Sequence, residues 1–439
     1  SIQLNEGDLL YAFELNQADG PWTDINEDLS KKNLLLTYSS TLFNGDFSVS
    51  LMGYDNHWNS ADQIPTRAVE NGTIDEYGSL DPSVGGKSNR YSLSSSWSND
   101  DVSISLYAIN SQLNLWSNFT YFLDNPIDGD QFEQVDERSI YGAKIDYRFS
   151  GTFADIAMEN RFGWTFRYDD IQDVALYQTH KRQRIGVTRS DTVDEFSTGI
   201  FWENQLELSE QLRSTLAIRY DYYHFDVRSQ IDENSYGVDL TLNNGNAHDD
   251  IISLKGGLSY SLSSEVETYL SIGQAFHSND ARGTTINVNP ADGTQAVSVD
   301  PLVSSLGYEA GVRGFWYDKF NASFALWYLT LDSELLFVGD AGNTEPSRES
   351  QRYGFELTAY YRFTDHLTFD LEYAQTNAEF SDHQEDGSYI PGAVDKVVQA
   401  GIVADLPNGW FGSVRVRYFG ERPLIEDNSV KSDATLSAN

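Results

Sequence analysis

Cysteine is absent from the 439 residues, which excludes disulfides, thiolate metal ligands and thiol nucleophiles together. Long apolar runs are also absent, since segments such as 324–329 (FALWYL) fall far short of the ~20 residues that a membrane helix needs. Basic residues are few: Lys plus Arg is 29 and Asp plus Glu is 67, for a net charge of −38. A nucleic-acid backbone would be repelled by such a surface, so no nucleic-acid partner is predicted.

Aromatic residues, in contrast, are abundant. The 26 Tyr, 24 Phe and 9 Trp make up 13% of the chain, yet the mean hydropathy is −0.46. Disordered chains are poor in aromatic residues, so the acidity does not indicate disorder. A transmembrane β-barrel combines these properties, because its strands alternate apolar and polar residues and its aromatic residues gather at the membrane interfaces.

Alternation of apolar and polar residues recurs along nearly the whole chain. In segment 352–363 one face carries Tyr353, Phe355, Leu357, Ala359, Tyr361 and Phe363, and the other carries Arg352, Glu356, Thr358 and Arg362. The same pattern occurs in 46–55, 101–109, 213–225, 250–260, 306–316, 367–376 and 410–418. The pattern predicts about seventeen strands, with an eighteenth starting near Ser432.

The links between these strands alternate strictly between short and long. Short turns are predicted near 44–45, 98–101, 150–152, 209–211, 262–265, 318–319, 364–366 and 408–409. Long polar loops are predicted near 17–31, 56–89, 123–137, 169–194, 229–249, 278–305, 338–350, 381–392 and 421–430. Short periplasmic turns at one end and long extracellular loops at the other are typical of an outer-membrane barrel.

Three other all-β architectures were weighed against the barrel. A soluble antiparallel sheet with one wet face would alternate in the same way, but neither it nor a β-sandwich requires the strict order of short and long links. A propeller would place four strands in each ~45 residues, where this chain places about two. The predicted fold is therefore an all-β, transmembrane, antiparallel up-and-down β-barrel.

A barrel wall restricts where the charges can lie. Arg or Lys facing lipid at the bilayer midplane costs ~2–4 kcal/mol, so charged residues are expected in the lumen or the loops. The 123–137 loop holds Asp124, Asp128, Asp130, Glu133, Asp136 and Glu137, and the 381–392 loop holds Asp382, Glu385 and Asp386. These acids are interpreted as solvated loop residues, with attraction of cations or cationic ligands as the functional alternative.

Several stretches, in order and spacing, resemble the barrel of TonB-dependent outer-membrane receptors. They are 11–22 (YAFELNQADGPW), 269–283 (YLSIGQAFHSNDARG), 301–342 (which begins PLVSSLGYEAGVRGFW), 351–374 (which begins QRYGFELTAYYRF) and 390–394 (IPGAV). The resemblance covers most of the chain and implies a location in the outer membrane of a Gram-negative bacterium. It also implies a barrel of twenty-two strands, of which seventeen or eighteen are identified here.

The resemblance implies further parts and partners. Such receptors carry an N-terminal plug domain and a TonB box, and neither is identified in residues 1–439, so the chain is interpreted as a partial barrel domain. The implied partners are the missing plug, the TonB–ExbB–ExbD complex, outer-membrane lipid and lipopolysaccharide, and a small-molecule nutrient ligand. The implied function is energy-dependent uptake of a scarce ligand such as a ferric siderophore or another large nutrient.

Two groups of candidate site residues follow. The lumen of so wide a barrel is either open or plugged, and its polar wall would hold the plug through hydrogen bonds and ion pairs. The candidates facing the lumen are Arg219, Asp221, Lys255, Glu309, Arg313, Arg352, Glu356, Asp370, Glu372, Arg415 and Arg417. The ligand-binding candidates, all at the long-loop end, are Trp58, Arg67, His277, Asn279, Asp280 and Arg282. Arg282 could pair with an anionic ligand, although fastening its loop to Asp280 is the favoured interpretation.

No enzymatic motif is found. The seven histidines show no metal-ligand spacing, and the chain contains no G-x-S-x-G, P-loop or strand–GxGxxG–helix unit, so no catalytic residue, metal or cofactor is predicted. A passive porin-like channel is the alternative function, and a soluble secreted all-β protein is a weaker one. The ligand itself is not determined by the fold.

Overall fold

The computed structural model describes residues 2–4, 6–338, 343–346, 348–384 and 387–439. Nearly all regular structure is β-strand, and the helical segments are Thr66–Glu70 (α1), Ala281–Thr285 (α2) and a 3-10 turn at Leu240–Asn243. No helix in these ranges is long and apolar enough to cross a membrane.

Twenty-four strands follow in chain order. The first twelve are Ile2–Leu4 (β1), Gly7–Ala18 (β2), Leu29–Leu42 (β3), Gly45–Asn59 (β4), Gly85–Ser98 (β5), Val102–Ser117 (β6), Phe132–Phe153 (β7), Ile156–His180 (β8), Gln183–Glu207 (β9), Leu212–Ser229 (β10), Gly245–Ser261 (β11) and Val266–Ser278 (β12). The others are Leu302–Trp316 (β13), Phe320–Leu331 (β14), Leu335–Val338 (β15), Asn343–Pro346 (β16), Ser350–Thr364 (β17), Leu367–Gln384 (β18), Gly387–Tyr389 (β19), Lys396–Asp405 (β20), Phe411–Phe419 (β21), Arg422–Pro423 (β22), Lys431–Ser432 (β23) and Thr435–Ala438 (β24).

One sheet of twenty strands forms a continuous antiparallel meander. Each strand from β1 to β14 pairs with the next, and the ladder continues through β17, β18, β20, β21 and β24. The pairs β15–β16 and β22–β23 are small separate hairpins in long loops. Within the described residues, seventeen strands have nine or more residues, which agrees with the predicted number.

The two faces of the wall differ as the alternation predicts. On one face, here called the outer face, ring contacts run across β8 to β11, from Phe166 to Phe196, Tyr222 and His248, with centroids 5.7 to 6.4 Å apart. Apolar side chains such as Leu270 remain exposed there, an arrangement that suits lipid rather than water. The opposite, inner face carries the charged residues.

Seven of the eight short turns lie where the sequence predicts them. The exception is the turn predicted near 150–152, because β7 continues to Phe153 and the reversal falls at Ala154 and Asp155. Both of these residues have positive φ, the backbone conformation that suits a two-residue hairpin in a right-twisted sheet.

The predicted loop at 169–194 is wrong. This segment is the upper part of the β8–β9 hairpin, whose two strands have 25 residues each and reverse at Lys181 and Arg182. At ~3.3 Å per residue such a strand measures roughly 80 Å, more than twice what a membrane crossing needs. The hairpin therefore projects far beyond the bilayer, where both faces meet polar surroundings and the apolar alternation fades.

Two other loop predictions need adjustment. Glu133, Asp136 and Glu137 lie on β7 rather than in a loop, and Glu133 is buried. Of the acids predicted in the 381–392 loop, Asp382 lies on β18, whereas Glu385 and Asp386 fall outside the described residues.

Candidate functional site

The long connections meet at one end of the wall, here called the mouth. Its best-defined part is the loop 279–301, which links β12 to β13 and contains the short helix α2. The loop turns sideways over neighbouring strands, so that α2 contacts β9, β10 and β11. This position brings residues of the resemblance motif against the inner face of the wall.

Asp280 and Arg282 are bound to each other. The Asp280 carboxylate accepts hydrogen bonds from the Arg282 backbone N–H at 2.9 Å and from the guanidinium Nε and Nη2 at 3.1 and 2.8 Å. Burial alone would raise the pKa of Asp280, but the charge and hydrogen bonds of Arg282 outweigh it and lower that pKa to about 2. The pair is thus fully ionised at neutral pH, and it fastens the start of the loop.

A second buried ion pair lies beside the first. On β9, Arg189 and Asp191 bond to each other, and Asp191 is only 2% exposed. The charges of the two pairs act on one another, Arg189 on Asp280 and Asp191 on Arg282. Four alternating charges therefore compensate each other where α2 meets the wall, as buried charges must.

Apolar contacts complete the seat of α2. Ala281 is 1% exposed and packs on Ile171, Val193, Phe225 and Val227 from β8, β9 and β10. Phe225 and Val227 follow Asp221 along β10 in steps of two residues, so they lie on the inner face. The inner face thus changes from charged to apolar towards the mouth, and α2 covers the apolar part.

Asn279 and His277 lie where β12 passes into this loop. The Asn279 amide donates to the Asp300 carbonyl at 2.7 Å, and its backbone N–H donates to the Pro301 carbonyl at 3.0 Å, which closes the base of the loop. The Asn279 Oδ1 and the His277 Nε2 are buried and have no hydrogen-bond partner among the described residues. These two atoms are the polar groups of the loop base that are free to take a partner.

Trp58 and Arg67 occupy a different part of the mouth. Trp58 lies on β4, half-buried, with its ring over Gly86 of β5, where any side chain would collide with it. Arg67 lies on α1 in the loop 60–84, with its side chain exposed. The structure therefore does not bring these two residues together with Asn279, Asp280 and Arg282 in one cluster.

The β8–β9 hairpin ties the loop 60–84 to the wall. At its tip, Arg182 donates to the carbonyls of Ser83 and Val84 at 2.6 and 2.8 Å and to the Asn59 side chain at 2.9 Å. The guanidinium also lies 5.1 Å from the ring centroid of Trp116, a cation–π distance. One side chain thus joins segments about a hundred residues apart along the chain.

Two carboxylates lie beneath this junction. Asp81 accepts from the side chains of Asn118 and Gln131, both at 2.9 Å, and Asp62 accepts from the Asn118 backbone N–H at 2.6 Å. Burial, together with the nearby Asp81 charge, raises the pKa of Asp62. At Asp81 the hydrogen bonds outweigh burial and lower the pKa.

The lumen candidates lie along the inner face and are largely paired across strands. Arg219 bonds to Asp221 and to Thr165, with Nε–Oδ2 at 2.6 Å and Nη2–Oγ1 at 2.9 Å. Arg415 bonds to the buried Asp370 at 2.8 Å. The remaining contacts are Arg313 to Glu267, Arg352 to Glu334, Glu309 to Tyr269, Glu372 to Tyr360 and Gln399, and Arg417 to Gln399. Lys255 stands opposite Gly273, and Glu356 borders a hollow with Glu372, Gln399 and Arg417.

Sequence reasoning missed Arg182, Arg189 and Asp191. A usable signal was present for the last two: acid and base two residues apart on a strand share a face and can pair. This spacing recurs in the pairs Asp136–Arg138, Arg167–Asp169, Arg189–Asp191, Arg219–Asp221 and Asp226–Arg228. Arg182 has no comparable signal, because its partners are carbonyl groups from distant segments.

The described part of the chain contains no group of His, Asp or Glu side chains that could hold a metal ion. The site therefore offers hydrogen bonds, ion pairs and apolar surface. These suit noncovalent capture of a ligand and the holding of a neighbouring domain.

Comparisons with known proteins place this architecture. Residues 21–439 match the family described as TonB dependent receptor-like, beta-barrel. The fold is similar to the ferric-catecholate import receptor Fiu from E. coli K12, with 12% identity, a TM-score of 0.76 and coverage of 100% of this chain and 71% of that one. It is also similar to the ferric yersiniabactin uptake receptor FyuA from Yersinia pestis, with 13% identity, a TM-score of 0.69 and coverage of 99% and 68%. A search of curated proteins found no match.

The chain belongs to the TonB-dependent receptor family and forms its β-barrel domain. The predictions of a transmembrane up-and-down barrel and of an outer-membrane location in a Gram-negative bacterium are thereby confirmed. The family and the fold are those of receptors and transporters rather than enzymes.

Proposed function

We propose that this chain is the barrel of an importer in which the TonB–ExbB–ExbD complex drives uptake of a scarce ligand. The family match over residues 21–439 carries the proposal. Iron delivered as a ferric siderophore is the first ligand to test, since Fiu and FyuA are receptors for ferric complexes. Another large nutrient remains compatible with the fold, which does not determine the ligand.

The inner face supports a second part of the proposal, namely that the lumen holds a plug domain. Charged and polar side chains line the wall from Arg219 on β10 to Arg417 on β21. A plug surface could exchange partners with pairs such as Asp370–Arg415, which are only partly shielded from the lumen. The outer face with its aromatic residues would contact outer-membrane lipid and lipopolysaccharide.

Ligand capture is proposed at the mouth. Arg67 is exposed and suited to meet a ligand directly, with Trp58 nearby on the wall. Asp280 and Arg282 are already paired with each other, so we propose that they shape the loop 279–301 while Asn279 and His277 supply the unpaired polar atoms at its base.

Transport of radioactive iron as a ferric catecholate tests the proposal in cells that express the complete gene. Accumulation against a gradient that disappears on deletion of TonB, or on addition of a protonophore, would support the importer. Entry that persists under both treatments would indicate the alternative, a passive porin-like channel.

The reading frame upstream of Ser1 provides an independent test. A segment encoding a plug domain and a TonB box is expected there. A complete gene without these parts would overturn the energy-coupled importer.

A further inference from the structure

The loop 118–131, which links β6 to β7, exposes apolar side chains at its tip. Phe122, Leu123 and Ile127 are 60%, 74% and 85% exposed, and they lie within six consecutive residues of one short loop. Single exposed apolar residues are ordinary on a protein surface, whereas a group of large ones marks an interaction site. This group stands at the mouth, away from the lipid-facing band of the wall.

The tip has a fixed shape rather than a loose one. Asp130 accepts hydrogen bonds from the backbone N–H groups of Leu123 and Asn125, both at 2.7 Å, and from that of Asp124 at 3.2 Å. Burial would raise the pKa of Asp130, but these hydrogen bonds outweigh it and lower the pKa. The Asn125 side chain accepts in turn from the backbone N–H groups of Ile127 and Asp128, at 3.2 and 3.0 Å. The exposed side chains are thus held in place before any partner binds.

The loop is also anchored to its neighbours. The Tyr121 hydroxyl donates to the Gln63 carbonyl at 2.7 Å, and the His180 ring bonds to the Asp128 carbonyl at 2.7 Å. The Gln131 amide at the end of the loop donates to Ser83 at 2.7 Å and to Asp81 at 2.9 Å. A rigid, anchored presentation of apolar groups lowers the entropy cost of binding.

Charge narrows the choice of partner. Asp124 and Asp128 flank the apolar group, both with exposed side chains, and the whole chain carries a net charge of −38. We propose that the tip of the loop 118–131, formed by Phe122, Leu123, Ile127, Asp124 and Asp128, is a docking site for a polypeptide segment with an apolar centre and a basic rim. This role goes beyond uptake of the receptor's own ligand and does not depend on it.

Two other occupants fit the charges less well. A lipid surface with phosphate groups is anionic, so it would repel Asp124 and Asp128. A second copy of the same tip would place these aspartates against themselves. A basic polypeptide gains from the apolar contact and from the acidic rim together.

The test uses the full-length receptor in lipid nanodiscs and a random peptide library displayed on phage. Selected peptides are synthesised, and their affinity is measured by fluorescence anisotropy for the natural receptor and for the double variant Phe122→Ser, Ile127→Ser. The matched control is Val297→Ser, because Val297 is 86% exposed on another loop of the mouth. Heat-modifiable migration on gels shows that each variant has folded.

The proposal expects selected peptides rich in Lys or Arg around an apolar centre, with affinity roughly tenfold weaker for the double variant and unchanged for Val297→Ser. Lys substitutions at Asp124 and Asp128 should weaken the same peptides. Peptides that bind the double variant as tightly as the natural receptor would overturn the proposal. So would tip-dependent binding to empty anionic nanodiscs, or tip-dependent self-association of the receptor, because each assigns the tip to a different occupant.

Discussion

The loops 279–301 and 118–131 solve opposite problems at the same mouth. The first buries its charges, with Asp280 and Arg282 paired beside Arg189 and Asp191 at the inner face. The second exposes its apolar residues, with Phe122, Leu123 and Ile127 held outwards by a network centred on Asp130. Residue polarity alone would have assigned these roles the other way round, with charges in water and apolar groups inside.

The difference shows which interactions decide loop position. An ion pair can be buried when each charge meets an opposite charge in good geometry, as in the loop 279–301. An apolar side chain can be left exposed when backbone hydrogen bonds to a carboxylate fix the loop around it, as in the loop 118–131. Each loop is therefore shaped by a few polar contacts, and these contacts can be removed one at a time.

The largest effect is expected from Asp280→Ala. The substitution would leave Arg282 buried without its carboxylate, which typically costs ~3–5 kcal/mol. We expect the amides of Ala281–Thr285 to exchange hydrogen ~10²–10³-fold faster, while those of the loop 118–131 do not change. Hydrogen exchange followed by mass spectrometry measures both loops in one experiment.

Asp292→Ala is the matched control for this variant. Asp292 lies in the same loop, and its carboxylate accepts hydrogen bonds from Thr294 at an exposed position. Equal protection of α2 in the natural protein and in Asp280→Ala would show that the ion pair does not hold the loop.

Acid should separate the two regions by sign. The pKa of Asp280 is lowered to about 2 in the folded chain, so its contribution is complete above the unfolded value of ~4 and is lost as the pH falls from ~4 towards 2, a loss of ~2 kcal/mol. The pKa of Asp62 is raised, so lowering the pH through that raised pKa favours the folded junction between the loops 60–84 and 118–131. Hydrogen exchange at successive pH values, corrected for intrinsic rates, should show α2 opening first, and simultaneous opening would refute the opposite signs.

A smaller effect is expected from Arg182→Met. The loss of hydrogen bonds to the Ser83 and Val84 carbonyls should cost ~1–3 kcal/mol locally and loosen the loop 60–84, with no effect on α2. Lys181→Met is the control, because Lys181 is exposed in the same two-residue turn. Protease nicking within 60–84 reports the result, and equal nicking rates in the two variants would contradict the anchoring role of Arg182.

The sequence predicts the wall well and the mouth poorly, for a physical reason. Lipid outside and a polar lumen inside impose alternation on segments such as 352–363, so strands and tight turns can be identified from residue types. The segment 169–194 projects beyond the bilayer and loses this constraint, and its polar residues suggested a loop where a long hairpin forms. The one misplaced short turn, at Ala154 and Asp155, lacks the Asn-Gly signal present at Asn44.

Some mouth contacts were nevertheless within reach. The pairing of Asp280 with Arg282 was the favoured interpretation from their proximity in the chain, and the structure shows the two residues bonded. The approach of Arg189 and Asp191 to that pair depends on how far α2 reaches across the wall, which no local pattern encodes. The exposure of Phe122 and Ile127 likewise depends on the fold of the loop rather than on its composition.

Arg182 has an evolutionary consequence. Two of its three hydrogen-bond partners are backbone carbonyls, at Ser83 and Val84, and every residue type supplies a carbonyl. Side chains along the loop 60–84 can therefore be replaced without loss of most of the anchor. A receptor lineage could in this way diversify the surface it presents to the environment while it inherits the same scaffold unchanged.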